Sequence, residues 1–351
     1  MPNVVSVSRW RPLYELAQQI EELKPWREMV ETEIFAVQDP ESKKIGTVSI
    51  MGNIGQHYAI AVYLGHEGLR GFIDLQSAEN QPNPTLFMSI PHLQLSFEKR
   101  SELDENDIFI FRELGYKSPG ARGWPLFRSF RPGFAPWFLE NDEISFLKTV
   151  LEQTIIVLKD LSLRNQVGLC LDEEKILTRK AKRIKGDYHW TSEIRPLYPP
   201  DKEYVVHIDA ELMEQVRALP AAPKQLSLDL QILLNPIQEK KGKQPYFAYL
   251  LILMDEESEL ILHQEMLTVA RGWDDFLTEL PATTLKGIQA IGYRPEALLI
   301  RYETLADLHA PIIKELKIKL INVDEMPAID GFIQGLYDFT RKQNPPHHFF
   351  S

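Results

Sequence analysis

The feature that most constrains the fold of this chain is how its connections change length between residues 226 and 341. Three apolar runs, 226–234, 246–254 and 260–267, follow one another across short polar links (QEKKGKQ lies in the first, DEES in the second). Strands joined so closely must be antiparallel neighbours, because a parallel pair needs a crossover of a dozen or more residues. The next links are long enough for that crossover. Helical sequence from near Gly272 leads to a fourth run at 297–302. There Pro281 is expected to end one short helix before a second piece runs to Ile291. Another helix, with Leu305, Leu308, Ile312 and Leu316 on one face, precedes a fifth run at 317–323. Thr304 and Asp307 suggest a capping box at its start, and Pro311 should kink it. Ile329, Phe332, Ile333 and Leu336 stripe a last helix. The strands flanking the helices should be parallel, with right-handed crossovers. This half therefore reads as an α/β domain with one mixed sheet.

The first half reads as α+β. Leu13, Leu16, Ala17, Ile20 and Leu23 mark an amphipathic helix within 10–29. Strands are expected at 34–37, 45–51, 58–64 and 92–97, with turns at Asp39-Pro40 and Gly52-Asn53, and helices at 67–79 and 101–114. Residues 115–141, dense in Gly, Pro and aromatics, read as an ordered loop packed by its own rings. The clearest helix of this half is 142–163, with Leu147, Val150, Leu151, Thr154, Ile155 and Leu158 along one side. The expected organisation is an α+β domain over 1–163 and a connecting region over 164–223 that could hold a hairpin, marked by TRKAKRIKG and IRPLYPP. A mixed-sheet domain follows over 224–341, and a flexible tail over 342–351.

Composition narrows the function classes. The chain has 351 residues, 44% of them hydrophobic, enough for two cores. Its net charge of -11 repels phosphate, so broad nucleic-acid binding would need a local basic patch. The single cysteine, Cys170, excludes an intrachain disulfide and, between Leu169 and Leu171, reads as a small buried hydrophobe. The start, MPNVVSVSRWRP, lacks the apolar core of a signal peptide, and no apolar run reaches the 18 or so residues of a membrane helix. A cytoplasmic protein without a membrane partner is expected. Walker, GxGxxG, CxxC and GxSxG motifs are all missing from the sequence.

The element order of residues 224–341 resembles the ribonuclease H-like fold. The chain as a whole resembles an uncharacterised bacterial family labelled only as domains of unknown function. The segments that carry this second resemblance are KPWREM, IFAVQDPESKKIG, YLGHEGL and FRPGFAPW, then LSLDLQILL and YRPEALLIRYETL. Nucleases of the ribonuclease H-like fold hold two divalent ions on carboxylates from the first strand, the end of the fourth and a later helix. The resemblance places Asp229, Glu303 and Asp330 at those positions, with Asp324 a further candidate ligand. Each also has a plainer reading. Asp229 alternates with Ser227 and Gln231 onto what should be the open polar face of the sheet, and Asp330 should face solvent. Acidic residues such as Asp324 and Glu325 suit a helix N-terminus without any metal.

Two weaker candidates complete the reading. Arg179, Lys180, Lys182, Arg183 and Lys185, near Tyr188 and Trp190, could hold phosphates while the rings stack on bases. The plainer reading, which the acidic chain favours, is a solvated loop or the lysines and arginines of an edge strand. Trp124, Arg128, Arg131 and Trp137 could line an anion pocket or snorkel from a packed loop. The expectation is a non-catalytic binding or interaction protein on a degenerate ribonuclease H-like scaffold, with a protein or nucleic-acid partner and no cofactor. The alternative is a divergent phosphodiesterase that would need Mg²⁺ or Mn²⁺.

Overall fold

The computed structural model describes residues 6–77, 88–116, 122–172, 174–197, 206, 208–269 and 272–343. Residues 344–351 of the expected tail, and the side chain of Cys170, lie outside what it describes. The chain divides into two compact units, Met1–Pro200 with Gly242–Gln244, and Asp201–Lys241 with Pro245–Ser351.

The first unit is built on a seven-stranded sheet of order β5-β4-β3-β2-β1-β6-β7. Its strands are β1 (Phe35–Gln38), β2 (Ile45–Met51), β3 (Ala59–Leu64), β4 (His92–Glu98), β5 (Trp124–Phe130), β6 (Lys175–Ile184) and β7 (Asp187–Pro196). Only β1 and β6 pair in parallel. Helices α1 (Val7–Leu23) and α4 (Asn141–Lys159) cover one face. There Leu13, Ile20, Leu147 and Val150 meet Phe35, Val48, Ile60 and Leu95 in one core. On the other face α2 (Gly65–Ser77) places Leu69 and Phe72 against Ala61 and Tyr63. Helices α3 (Glu105–Leu114) and α5 (Leu161–Asp172) complete the unit.

Three segments depart from the expectation drawn from sequence. Trp124–Phe130, expected in a loop, is the edge strand β5 paired to β4. Pro125 is tolerated because an edge strand can spare an N–H. The strand enters beside Gly123 (φ 132), where an added Cβ would sit 2.5 Å from the Glu98 carbonyl oxygen, so only glycine fits. Helix 142–163 divides at Asp160, whose Oδ1 accepts from the Ser162 and Leu163 N–H groups and so caps α5. Finally, part of the region read as a connection supplies the hairpin β6–β7, which extends the first sheet beyond β1.

The second unit has a five-stranded sheet of order β10-β9-β8-β11-β12. The strands are β8 (Ala221–Ile237), β9 (Tyr246–Asp255), β10 (Leu260–Thr268), β11 (Arg294–Ile300) and β12 (Lys319–Asn322). β8, β9 and β10 are antiparallel, whereas β11 pairs in parallel with β8 and β12. The connection lengths had required this arrangement. Helices are α6 (Ala210–Arg217), α7 (Trp273–Ile291), α8 (Glu303–Leu316) and α9 (Pro327–Gln343). On one face, α7 sets the Phe276 ring 4.9 Å from that of Tyr249, tilted against it, and brings Gly287 against Leu253 and His263. On the other face, Ile329 and Ile333 of α9 pack on Leu250, Ile252 and Met254.

Pro281, expected to end a helix, lies inside the continuous α7, whereas Pro311 lies within α8, where a helix was expected to run through it. The buried stripe Phe276, Leu277, Leu280, Thr284 and Leu285 runs straight past Pro281, and packing of that stripe outweighs one lost hydrogen bond. The Thr304–Asp307 capping box does not open α8, which starts a residue earlier after Tyr302 with no side-chain cap. Among the described residues, no helix is long and apolar enough to cross a membrane.

Candidate functional site

Asp229 sits in the middle strand of the second sheet, flanked by Ile252 of β9 on one side and the end of β11 on the other. Strand alternation turns Leu228 and Leu230 to the α7 face, and Ser227, Asp229 and Gln231 to the α9 face. The expectation of an open polar face fails here. Because β11 and β12 require crossover helices, the sheet is covered on both sides, and Asp229 is 0% exposed.

A carboxylate at that depth must be paired, and Arg301 pairs it. Arg301 lies one residue beyond the end of β11. Its Nη2 donates to Asp229 Oδ2 at 2.5 Å and its Nε to Oδ1 at 3.3 Å. Gln231 Nε2, two residues along the same strand face, donates to Oδ2 at 2.6 Å. The same guanidinium reaches Asp330 on the first turns of α9, Nη1 to Oδ2 at 3.1 Å and Nη2 to Oδ1 at 2.8 Å. The arginine is thus a bridge between two carboxylates, one buried and one 51% exposed, and is itself 11% exposed. Burial works against its charge, but the Asp229 bonds outweigh burial and hold its pKa above the ordinary arginine value.

Of the carboxylates chosen from sequence, the structure brings together Asp229 and Asp330, and it does so around a cation that belongs to the chain. Glu303, at the first position of α8, and Asp324 are exposed. Among the described residues, no group of three or more His, Cys, Asp or Glu could hold a metal ion. The residues do not fit a divalent ion well. Both oxygens of Asp229 already accept N–H bonds, and an ion between Asp229 and Asp330 would have to displace the guanidinium. Asp330 is exposed, as expected, and its contact with Arg301 also ties α9 to the end of β11. Arg301 was the residue that sequence reasoning missed.

The two basic candidates are dispersed by the same alternation. Arg179 is buried, with Nε and Nη2 donating to Gln153 Oε1 at 3.3 and 3.1 Å and Nη1 to Ser192 Oγ at 2.8 Å. Lys180 turns to the opposite side and pairs with Glu193. Arg183 lies over the Tyr188 ring at 5.9 Å, and the Tyr188 hydroxyl donates to Glu41 at 3.1 Å. Only Lys182, Arg183 and Lys185 are exposed, close to the hairpin turn. In the aromatic segment, Arg128 makes a bidentate pair with Asp107 (3.0 and 2.6 Å) under the Phe138 ring. Arg131 meets Glu140 and Glu143 at 2.8 and 3.2 Å. Both guanidiniums face carboxylates, so they hold the segment together instead of presenting charge to an anion.

No curated protein and no solved structure gives a significant match to the chain. Two family models do match, the first inside the first unit and the second over residues that belong to the second unit apart from Gly242–Gln244. Residues 10–179 match the model of Domain of unknown function (DUF7309), and residues 212–337 match that of Domain of unknown function (DUF6930).

Proposed function

We propose that this chain is a cytoplasmic, non-catalytic binding or interaction protein, whose second unit uses a ribonuclease H-like scaffold without its metal chemistry. One observation carries the reading. Where a nuclease of that fold would gather carboxylates around two cations, Arg301 spans Asp229 and Asp330. A guanidinium supplies one fixed positive charge and five N–H donors. It cannot activate a water as a divalent ion does. The strand order β10-β9-β8-β11-β12 supports the scaffold part of the reading. The net charge of -11 and the dispersal of the β6 bases favour a protein partner over nucleic acid.

The experiment is a thermal-unfolding series with Mn²⁺ or Mg²⁺, run beside an assay of a generic phosphodiester. A site that binds an ion raises the stability of the native state by mass action. The expected result is an unchanged Tm for the second unit and no hydrolysis. A Tm that climbs with Mn²⁺ and stops climbing in Asp229→Asn, with metal-dependent cleavage lost in the same variant, would overturn the reading and favour the divergent phosphodiesterase.

A further inference from the structure

We propose that two copies of this chain associate edge to edge through β10, antiparallel about a two-fold axis at Gln264. The pairing goes beyond the non-catalytic reading and does not rest on it. It holds whether or not Asp229 binds an ion.

The two edges of the second sheet are protected very differently. β12 has four residues and opens with Lys319, a short and charged edge of the kind that discourages further pairing. β10 has nine residues, LILHQEMLT, with no Lys, Arg or Pro. Among the described residues, no backbone hydrogen bond reaches it from outside the sheet. Alternate residues of β10 are exposed, and those include Leu260 at 61% and Met266 at 64%. A bulge at Leu262 interrupts its pairing with β9, but His263 to Thr268 pair regularly, and a long edge without Lys, Arg or Pro is a template for another strand.

The sequence of β10 selects the partner, because it is complementary to itself in one antiparallel register. In a two-fold pair, residue i faces residue j and residue j faces i. Centred on Gln264, the register sets Leu262 against Met266, apolar against apolar, and His263 against Glu265, donor against acceptor. Moving the centre to Glu265 puts that carboxylate opposite itself, and like charges directly opposite destabilise a pair. Moving it to His263 sets Ile261 against Glu265 and Leu262 against Gln264. His263 also has an unmet need. Its Nε2 is buried without a hydrogen-bond partner among the described residues, and the carboxylate of its own Glu265 stays 3.8 Å away. The second copy supplies another Glu265 on that side of the strand. Two five-stranded sheets would then become one continuous sheet across the axis.

Sedimentation velocity on the full chain at micromolar concentration tests the proposal. The expected mass is twice the 40.6 kDa of one chain. Met266→Lys changes an exposed side chain and should give a single-chain mass with an unchanged circular dichroism spectrum. For the register, Gln264→Cys in a Cys170→Ser background should form a disulfide-linked dimer under mild oxidation, since only this register sets position 264 opposite itself. A wild type that sediments as one chain overturns the proposal. A folded Met266→Lys variant that stays dimeric also overturns it, and so does failure of the Gln264→Cys variant to crosslink. If Met266→Lys does not fold, the crosslink decides alone.

Discussion

At the scale of residues, Arg301 is a point where the second unit is vulnerable, because it pairs the buried Asp229. Removing one member of a buried pair leaves the other charged and unsolvated, which costs about 3–5 kcal/mol. Arg301→Ala strands Asp229 at 0% exposure, so chemical denaturation should show a loss of that order. Asp330→Ala removes a half-exposed partner and should cost about 1 kcal/mol or less, as exposed ion pairs do. Equal losses in the two variants would mean that Asp330, and not Asp229, is what Arg301 chiefly serves. The residues of this bridge were only partly legible in the sequence. Alternation assigned Asp229 to the correct face of its strand. It carried no information about whether that face was covered, because the cover, α9, begins almost a hundred residues later. Arg301 follows the last residue of its strand, where no periodicity applies. The one signal for it was its place at the end of the fourth strand, between two carboxylates already suspected of sharing a site.

At the scale of elements, local chemistry sets where each piece begins, and the surrounding structure decides whether it continues. Helix α3 starts on a reciprocal capping box. Asp104 Oδ1 accepts from the Asn106 and Asp107 N–H groups at 2.6 and 3.0 Å, and Asp107 Oδ2 accepts from the Asp104 N–H at 3.0 Å. Asp107 does a second job as the bidentate partner of Arg128 on β5, and so ties the helix start to the edge strand. The two residues should therefore separate on substitution. Asp104→Ala loses a cap, worth about 1 kcal/mol. Asp107→Ala also strands a buried guanidinium and should cost roughly 3 kcal/mol or more. Equilibrium urea unfolding of both variants checks this, and near-identical losses would show that the Arg128 pair contributes little. The helix expected over 101–114 opens about a turn later than its first residue, at Glu105 after the Asp104 cap. The strand in Trp124–Phe130 was hidden by its composition, because glycine, proline and aromatic residues also suit loops. What makes it a strand is a free edge on β4, which is a property of the sheet.

At the scale of the whole molecule, the chain is two compact units, with His92 buried in the first and His309 in the second. In the first unit, His92 stacks on Phe130 at 4.0 Å, and its Nδ1 donates to the Ile90 carbonyl at 2.9 Å. In the second, His309 Nδ1 lies 2.7 Å from the Leu305 carbonyl, which can only accept. Nδ1 therefore carries the proton, and Nε2 accepts from the Thr284 hydroxyl at 2.8 Å. Burial lowers both rings to about 4, against the opposing pull of their carbonyl partners. An unfolded histidine titrates near 6.5, at about that pH gaining a proton that the folded ring refuses. The unfolded state then binds more protons than the native state, so stability falls as pH drops. The contribution is intact above about pH 6.5 and is lost progressively between there and about pH 4, each ring being worth roughly 3 kcal/mol at the lower end. Domains with their own cores can unfold separately, so calorimetry should resolve two transitions, both moving to lower temperature over that interval. His92→Gln should flatten the pH dependence of one transition and His309→Gln that of the other. A single transition whose pH dependence responds equally to both substitutions would mean that the units unfold as one. A pair of transitions indifferent to pH between about 6.5 and 4 would mean that neither ring is held neutral by its surroundings.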